Sequence, residues 1–311
     1  MVHAAGTGKR GLVALALLLA FSMLSFLWLT VGMLVSGYRA PISGMLLPGG
    51  TQKPALTVVL TFDVEDTDDG NETVTVPGIL QVLDAHGAKG TFFITGMVAE
   101  RYPGLVRQIS DAGHEIGLHT YEHHFPIFDR AQASAVASAF RQTTDYIWAR
   151  SFATESAFGY SIERNREALA KAAGNGSYDV FRAPSLVSRW SNRTQYFAAL
   201  RSAGIKIDSS MLQEFMAVPS PPAKAYEYNG IIEVPVTRGR DILKPGNFAI
   251  IRKLQQSGAP LVIFIHPKEA SQEDIAALDS FLTGIEQGYE VNYATVGEIA
   301  RSYTAGHGSA G

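Results

Sequence analysis

The sequence contains no cysteine. That excludes disulfide frameworks and thiolate metal sites, and it leaves His, Asp and Glu as the side chains able to hold a metal. Runs of basic residues are also missing: 26 Lys plus Arg against 29 Asp plus Glu give a formal net charge of −3. With the cations scattered, the chain offers no electrostatic footprint for nucleic acid, and none is expected as a partner. No internal repeat and no second folded domain show in the pattern, and nothing calls for an obligate protein partner.

One stretch lacks charge altogether. Residues 11–35, uncharged from Leu12 to Val35, read as a membrane-spanning helix. The 24 residues from Leu12 to Val35 would reach about 36 Å at ~1.5 Å per residue, against a hydrocarbon core of about 30 Å. A cleaved signal peptide is the competing reading, but its apolar region is usually shorter and ends at a small-residue cleavage site. Lys9 and Arg10 precede the span and Arg39 alone follows closely, so residues 1–10 are expected in the cytoplasm and the remainder outside. Sequons at Asn71, Asn175 and Asn192 fit an exterior location weakly.

Residues 36–55, rich in Gly, Pro and Ser, read as a linker. A folded domain is expected over 56–302, with a flexible tail over 303–311. Within the domain, apolar runs alternate with amphipathic stretches. Thr57–Phe62, Thr91–Thr95, Glu115–Leu118, Val180–Phe181, Ile205–Ile207, Ile231–Val236 and Leu261–Ile265 read as strands. Helices are expected near Pro77–His86, Pro103–Ala112, 131–150, 162–173, 248–256 and 273–287. Short β-helix-β spacing favours parallel strands. The candidate chemical residues fall at strand C-termini across the chain, which favours a barrel over an open sheet.

The first strand ends in Thr61-Phe62-Asp63-Val64-Glu65-Asp66. Asp63 and Glu65 are two residues apart, hence on one strand side, and acids in such a place are costly unless they pair or work. His119-Thr120-Tyr121-Glu122-His123 follows the Glu115–Leu118 strand. Two imidazoles and a carboxylate from Glu65 or Asp66 make a donor set typical of catalytic zinc, with a position open for water. Arg182-Ala183-Pro184, Asp208-Ser209-Ser210 and Phe264-Ile265-His266 each close a strand. Taken singly they also fit a structural arginine, a helix cap and a core histidine.

Taken together and in this order, the motifs resemble the polysaccharide deacetylases of the NodB-homology family, carbohydrate esterase family 4, over about residues 56–300. The resemblance implies a distorted (β/α) parallel barrel preceded by the transmembrane helix. It implies hydrolysis of N-acetyl groups from an extracytoplasmic polysaccharide, peptidoglycan- or chitin-like, with release of acetate. The common family form has adjacent aspartates where this chain has Asp63-Val64-Glu65, so the resemblance favours Glu65 over Asp66 as the ligand. Ser185 stands where an aromatic usually follows the Arg-x-Pro.

On that resemblance, Glu65, His119 and His123 would hold a divalent metal, with zinc the expected ion. Asp63 would act as base with Arg182 as its ion-pair partner, and His266 as acid, oriented by Asp208. Thr120 would steady the loop through a hydrogen bond. Pro184, Ser185 and Phe264 would line the substrate pocket, and a backbone N–H near 184–186 would face the oxyanion. Two other classes stay open: an inactive glycan-binding member of the fold, and a hydrolase of small non-sugar amides.

Overall fold

A computed structural model describes residues 53–65, 68, 70–213, 224–244 and 248–307. The expected cytoplasmic N-terminus, membrane span and most of the linker lie outside the described residues, as does Asp66. Among the described residues no helix is long and apolar enough to cross a membrane.

The first strand, β1 (Ala55–Val64), is dominated by β-branched and aromatic residues, and all of Val58–Val64 is buried. Burial on both faces is what a central strand of a parallel sheet requires. It is flanked by β2 (Gly90–Ile94) on one side and β9 (Leu261–Ile265) on the other, while β10 (Glu290–Tyr293) pairs its first half. Beyond β2 the sheet continues through β3 (Glu115–Leu118), β4 (Val180–Phe181), β5 (Ile207–Asp208) and β7 (Ile231–Glu233), and beyond β9 lies β8 (Arg238–Gly239).

The two ends of this sheet are carried by one stretch of chain. β7 pairs β5 and β8 pairs β9, and between them Val234 N–H donates to Asp208 O, Val236 N–H to Met211 O and Thr237 N–H to Val262 O, each at 2.8 Å. The sheet is therefore curled and barrel-like, and its central strands are parallel. One departure from the parallel expectation is β6 (Tyr226–Tyr228), which pairs antiparallel with β7. The turn between them places Asn229 (φ 52°) and Gly230 (φ 76°) in the left-handed region, the geometry an Asn-Gly hairpin favours.

Helices fill the crossovers, with adjustments to the sequence reading. The first runs Glu72–Ala85, starting before Pro77 because the buried Glu72 is fixed by accepting the Glu65 N–H at 2.9 Å. The expected 131–150 helix is two, Arg130–Phe140 and Thr144–Trp148, divided at Arg141 with φ 54°. The last helix, Val296–His307, extends into the expected tail.

Candidate active site

Five strands deliver polar side chains to one end of the sheet. β1 supplies Asp63 and, just past its end, Glu65. β3 is followed by His119, β4 by Arg182, β5 ends on Asp208, and β9 is followed by His266. Because the central strands are parallel neighbours, their C-terminal ends share one rim.

At the rim, Glu65, His119 and His123 offer one ligand atom each, all within 4.8 Å of one another. The buried His119 sets its own tautomer: the Arg182 carbonyl, 2.9 Å from Nδ1, can only accept, so Nδ1 carries the proton and Nε2 is left with its lone pair. Nε2 lies 3.5 Å from Glu65 Oε2, which His123 Nε2 also abuts. None of Glu65 Oε2, His119 Nε2 and His123 Nε2 has a hydrogen-bond partner. Such convergence of buried, partnerless lone pairs fits a divalent cation. Burial works against the Glu65 charge, but the abutting imidazoles of His119 and His123 outweigh it and hold its carboxyl well below the usual carboxylate range. Burial also lowers the His123 pKa, which favours the neutral, ligating imidazole.

Beside this triad, Arg182 is fully buried and spends its guanidinium on four acceptors: Asp63 Oδ1 (2.8 Å), Thr61 Oγ1 (2.6 Å), Ser209 O (2.8 Å) and Ser209 Oγ (2.9 Å). Its Cζ sits 4.2 Å from the Phe93 ring centroid. Asp63 Oδ2 faces His266 Nε2 at 4.0 Å, and Glu65 Oε1 lies 3.7 Å from the same nitrogen. Phe264 stands edge-on to the His266 ring, 5.5 Å between centroids.

Asp208 sits apart from His266. Its oxygens accept from the Tyr196 and Ser210 hydroxyls, and it lies beside the buried Glu233 of β7. The expected orientation of His266 by Asp208 is therefore corrected: Asp63 and Glu65 are the carboxylates at His266. Burial pushes Asp208 up to about 6. Glu233 is pushed well above its ordinary value by burial and then by the Asp208 charge.

The Arg182-Ala183-Pro184 turn continues into Ser185 and Leu186, both left-handed (φ 54° and 52°). Pro184 is buried and Ser185 exposed. Thr120 also departs from expectation: its hydroxyl is buried with no hydrogen-bond partner, and it is the Thr120 carbonyl that is held, by the Gly96 N–H at 3.2 Å.

Sequence reasoning missed Lys268, whose Nζ donates to Glu65 Oε1 at 2.7 Å. Burial opposes its charge, but Glu65 more than compensates and its pKa is raised. A lysine two residues past His266 carries no signal of its own, since lysines on loops are ordinarily solvated.

The polysaccharide deacetylase family profile matches residues 50–207, just over half of the chain. Over 66 residues the sequence is 46% identical to a peptidoglycan-N-acetylglucosamine deacetylase of Bacillus cereus, covering 21% of this chain and 22% of that protein. Over 67 residues it is 42% identical to a peptidoglycan-N-acetylmuramic acid deacetylase of Bacillus subtilis, covering 22% and 24%. The matched stretch thus spans about a quarter or less of these relatives. Among solved structures, that of a candidate polysaccharide deacetylase from Mycobacterium smegmatis superposes with a TM-score of 0.59 at 23% identity, over 84% of this chain and 94% of that one. At that identity the likeness speaks for the fold.

Proposed function

The chain belongs to the polysaccharide deacetylase family of NodB homology, and we propose that it hydrolyses N-acetyl groups of a peptidoglycan- or chitin-like polysaccharide, releasing acetate. The observation that carries this reading is the convergence of three partnerless lone pairs, on Glu65, His119 and His123, beside an Asp63 clamped by Arg182.

Glu65, His119 and His123 would hold a divalent cation, for which the N,N,O donor set supports zinc. Bound there, the cation supplies Lewis acidity toward water and the acetamide carbonyl. Asp63 accepts the proton of the attacking water through Oδ2, while Arg182 keeps Oδ1 fixed. The oxyanion is met by a backbone N–H. Pro184 has none and the Leu186 N–H donates to Ala183 O, which leaves Ser185 as the donor between them. His266 then delivers a proton to the nitrogen as the C–N bond breaks, so the sugar leaves as the amine. Its Nε2 stands beside the base, 4.0 Å from Asp63 Oδ2, which suits that role. Phe264, Pro184 and the exposed Ser185 would border the acetyl group.

The reading extends to location. The uncharged run of residues 11–35 with Lys9 and Arg10 before it supports a single-pass anchor, the domain facing outward where a wall polymer would be met. Incubating the protein with N-acetylglucosamine oligomers and with peptidoglycan tests the function. Equal release of acetate and free amine supports it, and release from neither polymer removes it.

A further inference from the structure

The two histidines of the metal centre sit on a loop whose backbone is strained. Thr120 and His123 adopt φ 58° and 60°, and a β-branched residue in the left-handed region is an outlier that persists only where the surroundings over-determine it. Part of the restraint comes from the Gly96–Arg101 helix, where the Gly96 and Met97 N–H groups donate to the Thr120 and Tyr121 carbonyls at 3.2 and 3.1 Å. A Cβ at Gly96 would lie 2.2 Å from the Tyr121 ring, so the approach requires glycine.

The rest comes from the Glu155–Ala173 helix. Most of its buried stripe is apolar, with Phe158, Ile162, Ala168, Leu169 and Ala172, yet Ser161 and Asn165 are buried in it as well. Ser and Asn are poor choices inside a helix, because their side chains compete for backbone hydrogen bonds. Here they are spent on the loop. Asn165 Oδ1 accepts the His119 N–H at 2.8 Å and Ser161 Oγ accepts the Tyr121 N–H at 2.9 Å. Asn165 Nδ2 donates to Ile94 O at 3.0 Å and Ser161 Oγ donates to Glu122 Oε2 at 2.6 Å, so both side chains are themselves fixed. The spacings match: four residues of helix rise about 6 Å, and two residues of extended chain advance about 6.5 Å. Ser161 and Asn165 therefore meet the amides of residues 121 and 119 in reverse order along the helix.

We propose that Asn165, with Ser161 one turn before it, is a positioning residue of the metal centre. The pair holds the His119–His123 loop in its strained form, so that both imidazoles face Glu65 without reorganisation. This rests on the reading of Glu65, His119 and His123 as metal ligands.

Cobalt(II) titration of the full chain, followed by visible absorption and chelator competition, tests it without substrate. Asn165→Ala is expected to weaken cobalt binding 10- to 100-fold, the usual effect of losing a group that orients a ligand, and to alter the visible bands. Ser161→Ala is expected to weaken it less, and Ser161→Thr to restore it. Leu169→Ala, one turn further along the same helix and fully buried, lowers stability but is expected to leave cobalt affinity unchanged. Native affinity in folded Asn165→Ala, or in Ser161→Ala should the former not fold, overturns the proposal, as does an equal loss in Leu169→Ala. Absence of cobalt binding by the unaltered chain would instead remove the reading of the metal centre itself.

Discussion

Asp63 and Arg182 are joined at 2.8 Å through Oδ1 and Nη1, both side chains buried, while the other carboxylate oxygen of Asp63 faces His266 at 4.0 Å. One oxygen is held and the other is presented, which is what a base needs if it is to keep its geometry while exchanging a proton.

Removing the clamp strands a buried carboxylate. Arg182→Met is expected to cost about 3–5 kcal/mol of stability, the usual result of breaking a buried pair from one side, read as a lower urea midpoint. Arg182→Lys is expected to recover little, since an ammonium cannot reach Thr61, Asp63 and Ser209 together as the planar fork does.

His266 and His119 should separate cleanly. His266→Asn is expected to lower kcat by about 10²–10⁴-fold, the range for loss of a general acid, with metal content unchanged. His119→Ala is expected to lose the metal as well. Metal analysis alongside the rate measurement distinguishes the two, and loss of metal in His266→Asn would contradict the assignment.

The Asp208–Glu233 pair makes a prediction about pH and stability. Both folded-state values are raised, Asp208 to about 6 and Glu233 well above its ordinary value, burial being the first cause in each. The folded state therefore holds protons that the unfolded state has released. The stability this pair contributes is fully present below the unfolded carboxylate values near 4, and it is lost as pH rises through 6 and beyond. Glu233→Gln keeps an oxygen for the Met211 N–H, which Glu233 Oε1 now accepts at 3.0 Å, and removes the carboxyl that must take up a proton on folding. It is expected to raise the urea midpoint at pH 7 and to flatten its fall between pH 4 and 7. An unchanged slope would show that the pair does not titrate as described.

Much of the fold was legible because the long strands declare themselves. The runs at Thr57–Phe62, Thr91–Thr95 and Leu261–Ile265 are apolar and bounded, as doubly covered parallel strands must be. β8, with two residues, and β10, whose Glu290 is exposed, lack that signature and take their place from what they pair with. The Asn229-Gly230 turn was a readable hairpin signal that the longer apolar run of Ile231–Val236 overshadowed. At the site, acids, histidines and an arginine at strand ends stood out because such groups are costly there. Ser161 and Asn165 did not, since polar residues in an amphipathic helix ordinarily face water. Asp208 illustrates the remaining limit: its partners Tyr196 and Glu233 come from distant elements, and only the folded chain shows that they, not His266, engage it.

The measurement that tests the account most directly is acetate release from N-acetylglucosamine oligomers by the native chain, as prepared, after chelation and after zinc is restored, with His119→Ala treated in parallel. The account predicts release that chelation abolishes and zinc restores, and none from His119→Ala under any condition. Release that survives complete removal of metal, or that persists in His119→Ala, would contradict it.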